Sequence, residues 1–230
     1  MRDNLRRYRA IHRSLTQSSL GELTGHGASH LNTLAALISG IVASQSTQLP
    51  KVARQVPDGT KPESRVKRFP RWVGNDVITE DVYFLPYAES LLTRLALPTL
   101  VLVVDGRVVG RGCMALRLHV VSQGRALPLA WMVRRGKKGH FPETLHIALV
   151  EHVHSLIPAD VPVVLLGDGA CDGTGLQRTL DTLEWSYVCR TGIHMTATWQ
   201  GQPFRLDTLG TCLKPGRLVA LSGVLFTEEA

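Results

Sequence analysis

The sequence has no hydrophobic run long enough to cross a membrane. The longest stretch without a charged residue runs from Leu23 to Pro50, and its apolar core, Leu31–Ala43, has only 13 residues. A membrane-spanning helix needs about 20 mostly apolar residues, so this core is predicted to be a buried helix. The first residues are rich in arginine and no apolar run follows them, which is not typical of a secretory signal. We therefore expect a cytoplasmic protein that does not span a membrane.

The sequence also lacks the spacings that mark common metal, disulfide and nucleotide sites. Cys113, Cys171, Cys189 and Cys212 are far apart in sequence and include no C-x-x-C pair, so neither a zinc site nor a disulfide framework is predicted. No P-loop and no G-x-G-x-x-G motif is present. The histidines and glutamates of residues 140–154 do not follow the H-E-x-x-H pattern, and we interpret them as surface residues of a helix rather than as zinc ligands.

Acidic residues are scarce in the first third of the chain. The whole sequence has 26 basic and 19 acidic residues, which gives a net charge of +7. Residues 1–75 contain 12 of the basic residues and only 4 of the acidic ones, whereas residues 76–230 are close to neutral. A basic segment joined to a near-neutral body indicates an arm that binds a polyanion. Nucleic acid is the first candidate and an anionic membrane surface is the second.

Two groups of cations lie in this basic arm. The first group follows helical spacing and so shares one helix face, and the second group alternates with Val66, Phe69 and Trp72. Cationic heads can neutralise phosphates while aromatic side chains pack against sugar, base or protein. The alternatives are a solvated face for the first group and core positions for the two aromatic residues. The predicted DNA-binding residues are Arg6, Arg9, Arg13, Arg65, Lys67, Arg68 and Arg71.

From Leu97 onward, strand and helix patterns alternate. The predicted strands cover residues 100–104, 112–121, 126–133, 161–166 and 185–190, and the predicted helices lie near 142–156 and 174–184. Two hairpin-linked strands beside the first, followed by a crossover to the fourth, predict a mixed sheet with helices on its faces. In the ribonuclease H-like arrangement with this order, the first and fourth strands are neighbours. The predicted fold class is therefore α/β, with a ribonuclease H-like mixed sheet, flanking helices and a small helical basic N-terminal domain.

The first and fourth strands end in the same pattern, an apolar run followed by Asp and Gly. Asp105 and Asp168 are therefore predicted to meet at one edge of the sheet, although Asp-Gly is also a common turn and Asp105 could be a turn residue. Two close carboxylates repel each other unless cations lie between them, and Mg²⁺ or Mn²⁺ prefers such oxygen ligands. Together with the basic arm, this pair predicts metal-dependent cleavage or transfer of nucleic-acid phosphodiesters.

The segment Leu100–Gly192 resembles the catalytic core of DDE-type bacterial insertion-sequence transposases, in particular the insertion sequence 4 branch. The resemblance depends on the apolar strand before Asp105 and on three further segments in the right order, which are GRALPLAW (124–131), LLGDGACDG (165–173) and WSYVCR (185–190). It implies a ribonuclease H-like fold, Mg²⁺ or Mn²⁺ as cofactor, and cut-and-paste DNA chemistry in the bacterial cytoplasm. It also implies that Asp105 and Asp168 are the first two catalytic acids and metal ligands.

The third acid that the family pattern requires is missing from its expected context. The pattern is Tyr, two residues, Arg, three residues, Glu, six residues, Lys; here Tyr187 and Arg190 are followed by His194. The resemblance therefore implies a transposase that stops before its third acid and is inactive alone. The alternatives are a non-catalytic DNA-binding fragment or regulator of transposition and, from the residues alone, a metal-dependent nuclease.

The resemblance also divides the chain into predicted domains. They are a helical basic DNA-binding region (1–75), a connecting helical segment (76–97), a ribonuclease H-like catalytic core (98–192) and the start of a strand-rich insertion (193–230). The expected partner is double-stranded DNA, both as element ends and as target. Whether the chain forms a homodimer in the DNA complex stays open at this point.

Overall fold

A computed structural model describes residues 2–19, 24–136, 141–192, 194–214 and 216–226. The chain forms two compact units, Met1–Arg94 and Leu95–Ala230. The first unit is helical and contains both the predicted basic region and most of the predicted connecting segment. The second unit contains every strand of the described residues. No helix in the described part of the chain is both long and apolar enough to cross a membrane.

Six helices make up the described part of the first unit. They are α1 (Arg2–Ser18), α2 (His26–Ser44), α3 (Leu49–Gln55), α4 (Pro62–Val73), α5 (Glu80–Tyr83) and α6 (Leu85–Leu95). The second group of predicted DNA-binding cations lies in the helix α4, which begins at a proline, a residue favoured in the first helical turn. The predicted connecting helical segment (76–97) contains α5 and α6, and the break between them lies at Phe84, two residues before Pro86.

The core of the first unit is built around Phe69 of α4. This side chain is fully buried against Val52, Ala53 and Val56, and Tyr8 of α1 packs on the same cluster. Phe69 is therefore a core residue. For this residue, the alternative that the aromatic side chains occupy core positions is confirmed. The helix α2 contains the predicted buried segment, and its Leu31 and Ala35 are buried.

The second unit contains a mixed five-stranded sheet in the order β3-β2-β1-β4-β5. The strands are β1 (Leu100–Gly110), β2 (Cys113–Ser122), β3 (Arg125–Arg135), β4 (Val163–Gly167) and β5 (Ser186–Cys189). β1 is antiparallel to β2 and parallel to β4, and β4 is parallel to β5. The helices α7 (Glu143–His154) and α8 (Thr174–Thr182) flank this sheet. The α/β class and the prediction that the first and fourth strands are neighbours are confirmed.

The end of β1 differs from the sequence-based prediction. The strand was predicted to end at Asp105-Gly106, but it continues to Gly110 because pairing with β2 persists after pairing with β4 has stopped at Val103. The turn of this hairpin lies at Arg111 and Gly112, both of which have a positive φ. Asp105 is therefore a strand residue, and the alternative of a turn residue is wrong.

A second, smaller sheet follows the five-stranded one. Its order is β7-β6-β8, formed by β6 (Thr196–Trp199), β7 (Gln202–Arg205) and β8 (Val224–Phe226). Short strands in this region were predicted. The helix α9 (Leu206–Cys212), which follows β7 directly, was not predicted.

Candidate functional site

Asp105 lies within β1, and Asp168 is the first residue after the neighbouring parallel strand β4. The last pair between β1 and β4 joins Val103 to Leu166, and each aspartate follows two residues later. Both aspartates therefore lie just beyond the paired part of β1 and β4, and both line the same cleft.

Arg117 of β2 holds the Asp105 carboxylate. Asp105 and Arg117 are cross-strand partners, and Nη2 of Arg117 donates to Oδ2 of Asp105 at 2.8 Å. His119 lies two residues further along β2 on the same face. Burial and the charge of Arg117 lower the pKa of His119, although a backbone hydrogen bond to Val103 and the charge of Asp105 act in the opposite direction. The face that carries Asp105 thus contains a fixed cation beside the carboxylate.

The backbone that follows β4 holds the Asp168 carboxylate. Asp168 caps a single 3₁₀ turn, Gly169–Cys171, and its Oδ1 accepts a hydrogen bond from the Ala170 N–H at 3.1 Å. Gly167 allows this turn to fold back onto the strand, because a Cβ at Gly167 would lie 2.5 Å from the Cβ of Cys171. The turn thus fixes the direction of the Asp168 side chain.

Both aspartates line one cleft with a volume of about 410 Å³. Phe141, His146 and Cys171 also line it. His146 is buried, its ring meets Phe141 edge to face at 6.3 Å, and its Nδ1 lies 3.4 Å from the Pro142 carbonyl oxygen. The site is therefore an open cleft that is lined by two carboxylates and by the rings of Phe141 and His146.

Glu143, the first residue of α7, has a structural role. Its Oε1 accepts a hydrogen bond from the Leu176 N–H at 2.8 Å, at the N-terminus of α8, where a negative charge is favourable. Gly173 and Gly175 leave room for the carboxylate, since a Cβ at Gly173 would lie 2.1 Å from Oε1. This contact links α7 to α8. The interpretation of the histidines of this helix as surface residues is wrong for His146, which is buried, and His140 lies outside the described residues.

No third carboxylate joins the pair in the part of the chain that the structure describes. Asp172 is the nearest acid in sequence, but its Oδ2 accepts a hydrogen bond from the Gly192 N–H at 3.2 Å, beyond the end of β5. Among the described residues there is no group of three or more His, Cys, Asp or Glu side chains that could hold a metal ion. The described residues therefore provide two carboxylates at this site, Asp105 and Asp168.

The two aspartates nevertheless fit a hard divalent cation as ligands. One oxygen of each carboxylate is taken, Oδ2 of Asp105 by Arg117 and Oδ1 of Asp168 by Ala170. Within the described ranges, the other oxygen of each has no hydrogen-bond donor. Both residues are exposed, and Mg²⁺ keeps several waters while it binds one or two carboxylates.

The cations predicted to bind DNA fall into two classes in the first unit. Arg6, Arg9 and Arg13 are exposed along one face of α1, and Lys67 and Arg71 are exposed one turn apart on α4. These five side chains are available to a partner.

Arg65 and Arg68 are instead engaged within the protein. Arg65 is buried, and its guanidinium donates to the Asp58 carboxylate, to the Asp58 carbonyl and to the Ala53 carbonyl. Arg68 donates to the other oxygen of Asp58 at 3.1 Å. Burial alone would raise the pKa of Asp58, but hydrogen bonds from Thr60 and Arg65 and the charge of Arg65 lower it. The structure therefore gives Arg65 a place in the fold rather than on the surface.

The thiols beside Asp168 are expected to react slowly with alkylating reagents. Burial and the neighbouring Cys189, Asp168 and Asp172 raise the pKa of Cys171 to about 12 from an ordinary value of 9.0. A rise of about three pKa units lowers the thiolate fraction about 1000-fold, and only the thiolate reacts. Iodoacetamide at about pH 8 should therefore label the partly exposed Cys113 long before Cys171.

Peptide mass mapping over time measures this difference. The Cys171 rate should rise about tenfold for each unit of pH, since its pKa lies far above the working range. Equal labelling of Cys113 and Cys171 at about pH 8 would contradict the packing of the 3₁₀ turn on Gly167.

Sequence comparisons identify no relative of this chain. No family model matches it, and no curated protein matches it.

Proposed function

We propose that this chain is a DNA transposase of the DDE type, or part of one, with a ribonuclease H-like fold. Its chemistry would be metal-dependent phosphodiester hydrolysis and strand transfer at insertion-sequence ends, in the bacterial cytoplasm. The observation that carries the proposal is the pair Asp105 and Asp168, which lie just beyond the paired part of two neighbouring parallel strands and line one cleft. The order of the five strands and the exposed cations of α1 support it.

The residues of the cleft have separate roles in this proposal. Asp105 and Asp168 would hold Mg²⁺ or Mn²⁺ through their unbonded oxygens. A bound divalent ion supplies stabilisation of the charge that develops on phosphoryl oxygens during in-line displacement. Arg117 fixes the orientation of Asp105, and the Ala170 N–H fixes that of Asp168. Arg107 also lines the cleft and would contact a phosphodiester strand that enters it.

A non-catalytic DNA-binding protein that regulates transposition is the second candidate. Two observations favour it. Among the described residues no third carboxylate joins the aspartate pair, and the Asp105 carboxylate already has a cationic partner in Arg117. Both candidates require duplex DNA binding by the first unit, and they differ in whether the cleft binds a metal ion and acts on DNA.

Substitution of Arg9 and Arg13 tests the DNA-binding part of the proposal. Each phosphate contact contributes about 0.9 to the slope of log affinity against log salt, so the Arg9→Ala/Arg13→Ala chain should lose about 1.8 from this slope. Fluorescence anisotropy with labelled duplex DNA over a salt series measures it in the full chain.

The matched control is Arg125→Ala/Arg217→Ala, which removes the same charge from exposed positions in the second unit. It should leave the slope within about half a unit of the parent value. Equal slopes for both double variants would refute α1 as a DNA-binding face.

A further inference from the structure

Four exposed arginines lie together at one end of the β1–β2–β3 meander, and the predicted DNA-binding set does not include them. Arg107 lies near the end of β1, Arg111 lies in the turn that follows, and the last two residues of β3 complete the group. The arginine tip is defined as Arg107, Arg111, Arg134 and Arg135.

The strand register brings these four residues to one end of the sheet. Arg107 pairs with Ala115 of β2, which in turn pairs with Val133 of β3. Arg134 and Arg135 are the next two residues of β3 in the direction of the turn. The Gly136 N–H donates to the Gly112 carbonyl at 2.9 Å, which ties the end of β3 to the turn that carries Arg111. The tip spans about three residue levels, or roughly 10 Å along the strands.

The arginine tip has no compensating negative charge nearby in the sheet. The segment 100–135 contains six arginines and a single acid, Asp105, and the carboxylate of that acid is bonded to Arg117. None of the four tip guanidiniums makes an ion pair or a hydrogen bond with another residue within the described ranges. Arg107 and Arg135 lie on one face of the sheet and Arg134 on the other, so uncompensated positive charge flanks this end of the sheet and favours a polyanionic partner.

We propose that the arginine tip binds the phosphate backbone of duplex DNA and directs it into the aspartate cleft. The proposal rests on the proposed function, because it assigns a further contact surface for the same substrate. A guanidinium presents paired donors that match a phosphate, and a duplex carries about six charges in the 10 Å that the tip spans. Arg107 belongs to the tip and also lines the cleft that contains Asp105 and Asp168. A strand held at the tip therefore continues towards the two carboxylates.

An anionic lipid surface is the rival partner. Val108 and Val109, beside Arg107, are 46% and 53% exposed, and exposed apolar residues next to cations also suit a membrane interface. Duplex DNA is the stronger candidate because Arg107 of the tip lines the cleft in which, under the proposed function, Asp105 and Asp168 would hold a metal ion that acts on a phosphodiester.

The test is the salt dependence of DNA binding by Arg111→Ala/Arg135→Ala in the full chain. Arg107 is left in place because it lines the cleft. In EDTA, with labelled duplex DNA, the slope of log affinity against log salt should fall by about 1.8 for two lost phosphate contacts. Arg125→Ala/Arg217→Ala, with the same change in charge, should keep the parent slope to within about half a unit. An unchanged slope in the tip variant overturns the proposal.

Two further measurements separate this proposal from the lipid alternative and from the proposed catalytic function. Flotation with phosphatidylserine vesicles tests the rival, and vesicle binding lost in the tip variant with an unchanged DNA slope would assign the tip to lipid. Nicking of duplex DNA in Mg²⁺ tests the chemistry of the proposed function separately. If the tip variant has a reduced salt slope but the parent chain does not nick DNA, the result supports DNA binding by the tip and counts against catalysis. If the slope is unchanged and the parent chain nicks DNA in a way that depends on Asp168, only the proposal for the tip is overturned.

Discussion

Replacing Gly167 by alanine is expected to destabilise the second unit by about 1–3 kcal/mol, the usual cost of overpacking a filled site. The new Cβ would lie 2.5 Å from the Cβ of Cys171 and 2.7 Å from its Sγ. The Cβ of Cys171 is fixed to the 3₁₀ turn, so relief requires movement of the turn that begins at Asp168. Binding of a divalent ion at the cleft should be lost together with the stability.

Gly169→Ala is the matched control on the other side of Asp168. A Cβ there would meet nothing closer than the Arg190 carbonyl oxygen at 3.7 Å, an ordinary contact. Its unfolding free energy should stay within about 0.5 kcal/mol of the parent value. Urea unfolding followed by circular dichroism measures both variants. Equal stability of the two would show that the turn does not pack on Gly167.

The strands of the second unit could be predicted because buried parallel strands leave a clear local pattern. Leu100–Val104 and Val163–Leu166 are continuous apolar runs, which is typical of strands covered on both faces. The end of β1 could not be predicted, since Asp105-Gly106 has the composition of a turn and only the register with β2 extends the strand. Tertiary pairing decided that boundary. The helix α9 was missed because its seven residues include a glycine and two threonines.

The aspartate pair could be predicted from strand order, but its surroundings could not. Arg117 is the partner of Asp105 because of a cross-strand register that spacing along the chain does not reveal. Arg65 has the composition of a DNA-binding residue, and only its contacts with Asp58 show that it is part of the fold. From the sequence, the segment with Arg134 and Arg135 could be interpreted as a phosphate contact or as a solvated loop, and only the strand register places Arg107 and Arg111 at the same end of the sheet. In the sequence of β2, Arg117 and His119 alternate with leucines that are buried in the structure. This alternation was the one sequence pattern that could have predicted which polar side chains share a sheet face with Asp105.

Removing either carboxylate is expected to weaken Mn²⁺ binding at least about tenfold, since loss of supporting groups around metal sites already costs 10- to 100-fold. The variants are Asp105→Asn and Asp168→Asn, which keep the shape of the side chain and remove its charge. Asp172→Asn is the matched control, because the Asp172 carboxylate is bonded to the Gly192 N–H rather than joined to the pair. We expect it to bind Mn²⁺ as the parent chain does.

Electron paramagnetic resonance of free Mn²⁺, titrated with the full chain, tests the central claim most directly. The proposed site predicts that the parent and Asp172→Asn chains remove the free Mn²⁺ signal in parallel, and that Asp105→Asn and Asp168→Asn both require at least about ten times more protein. Circular dichroism spectra of the four chains should superimpose. A parent chain that binds no Mn²⁺, or binding that neither aspartate substitution changes, would contradict a metal site built from Asp105 and Asp168.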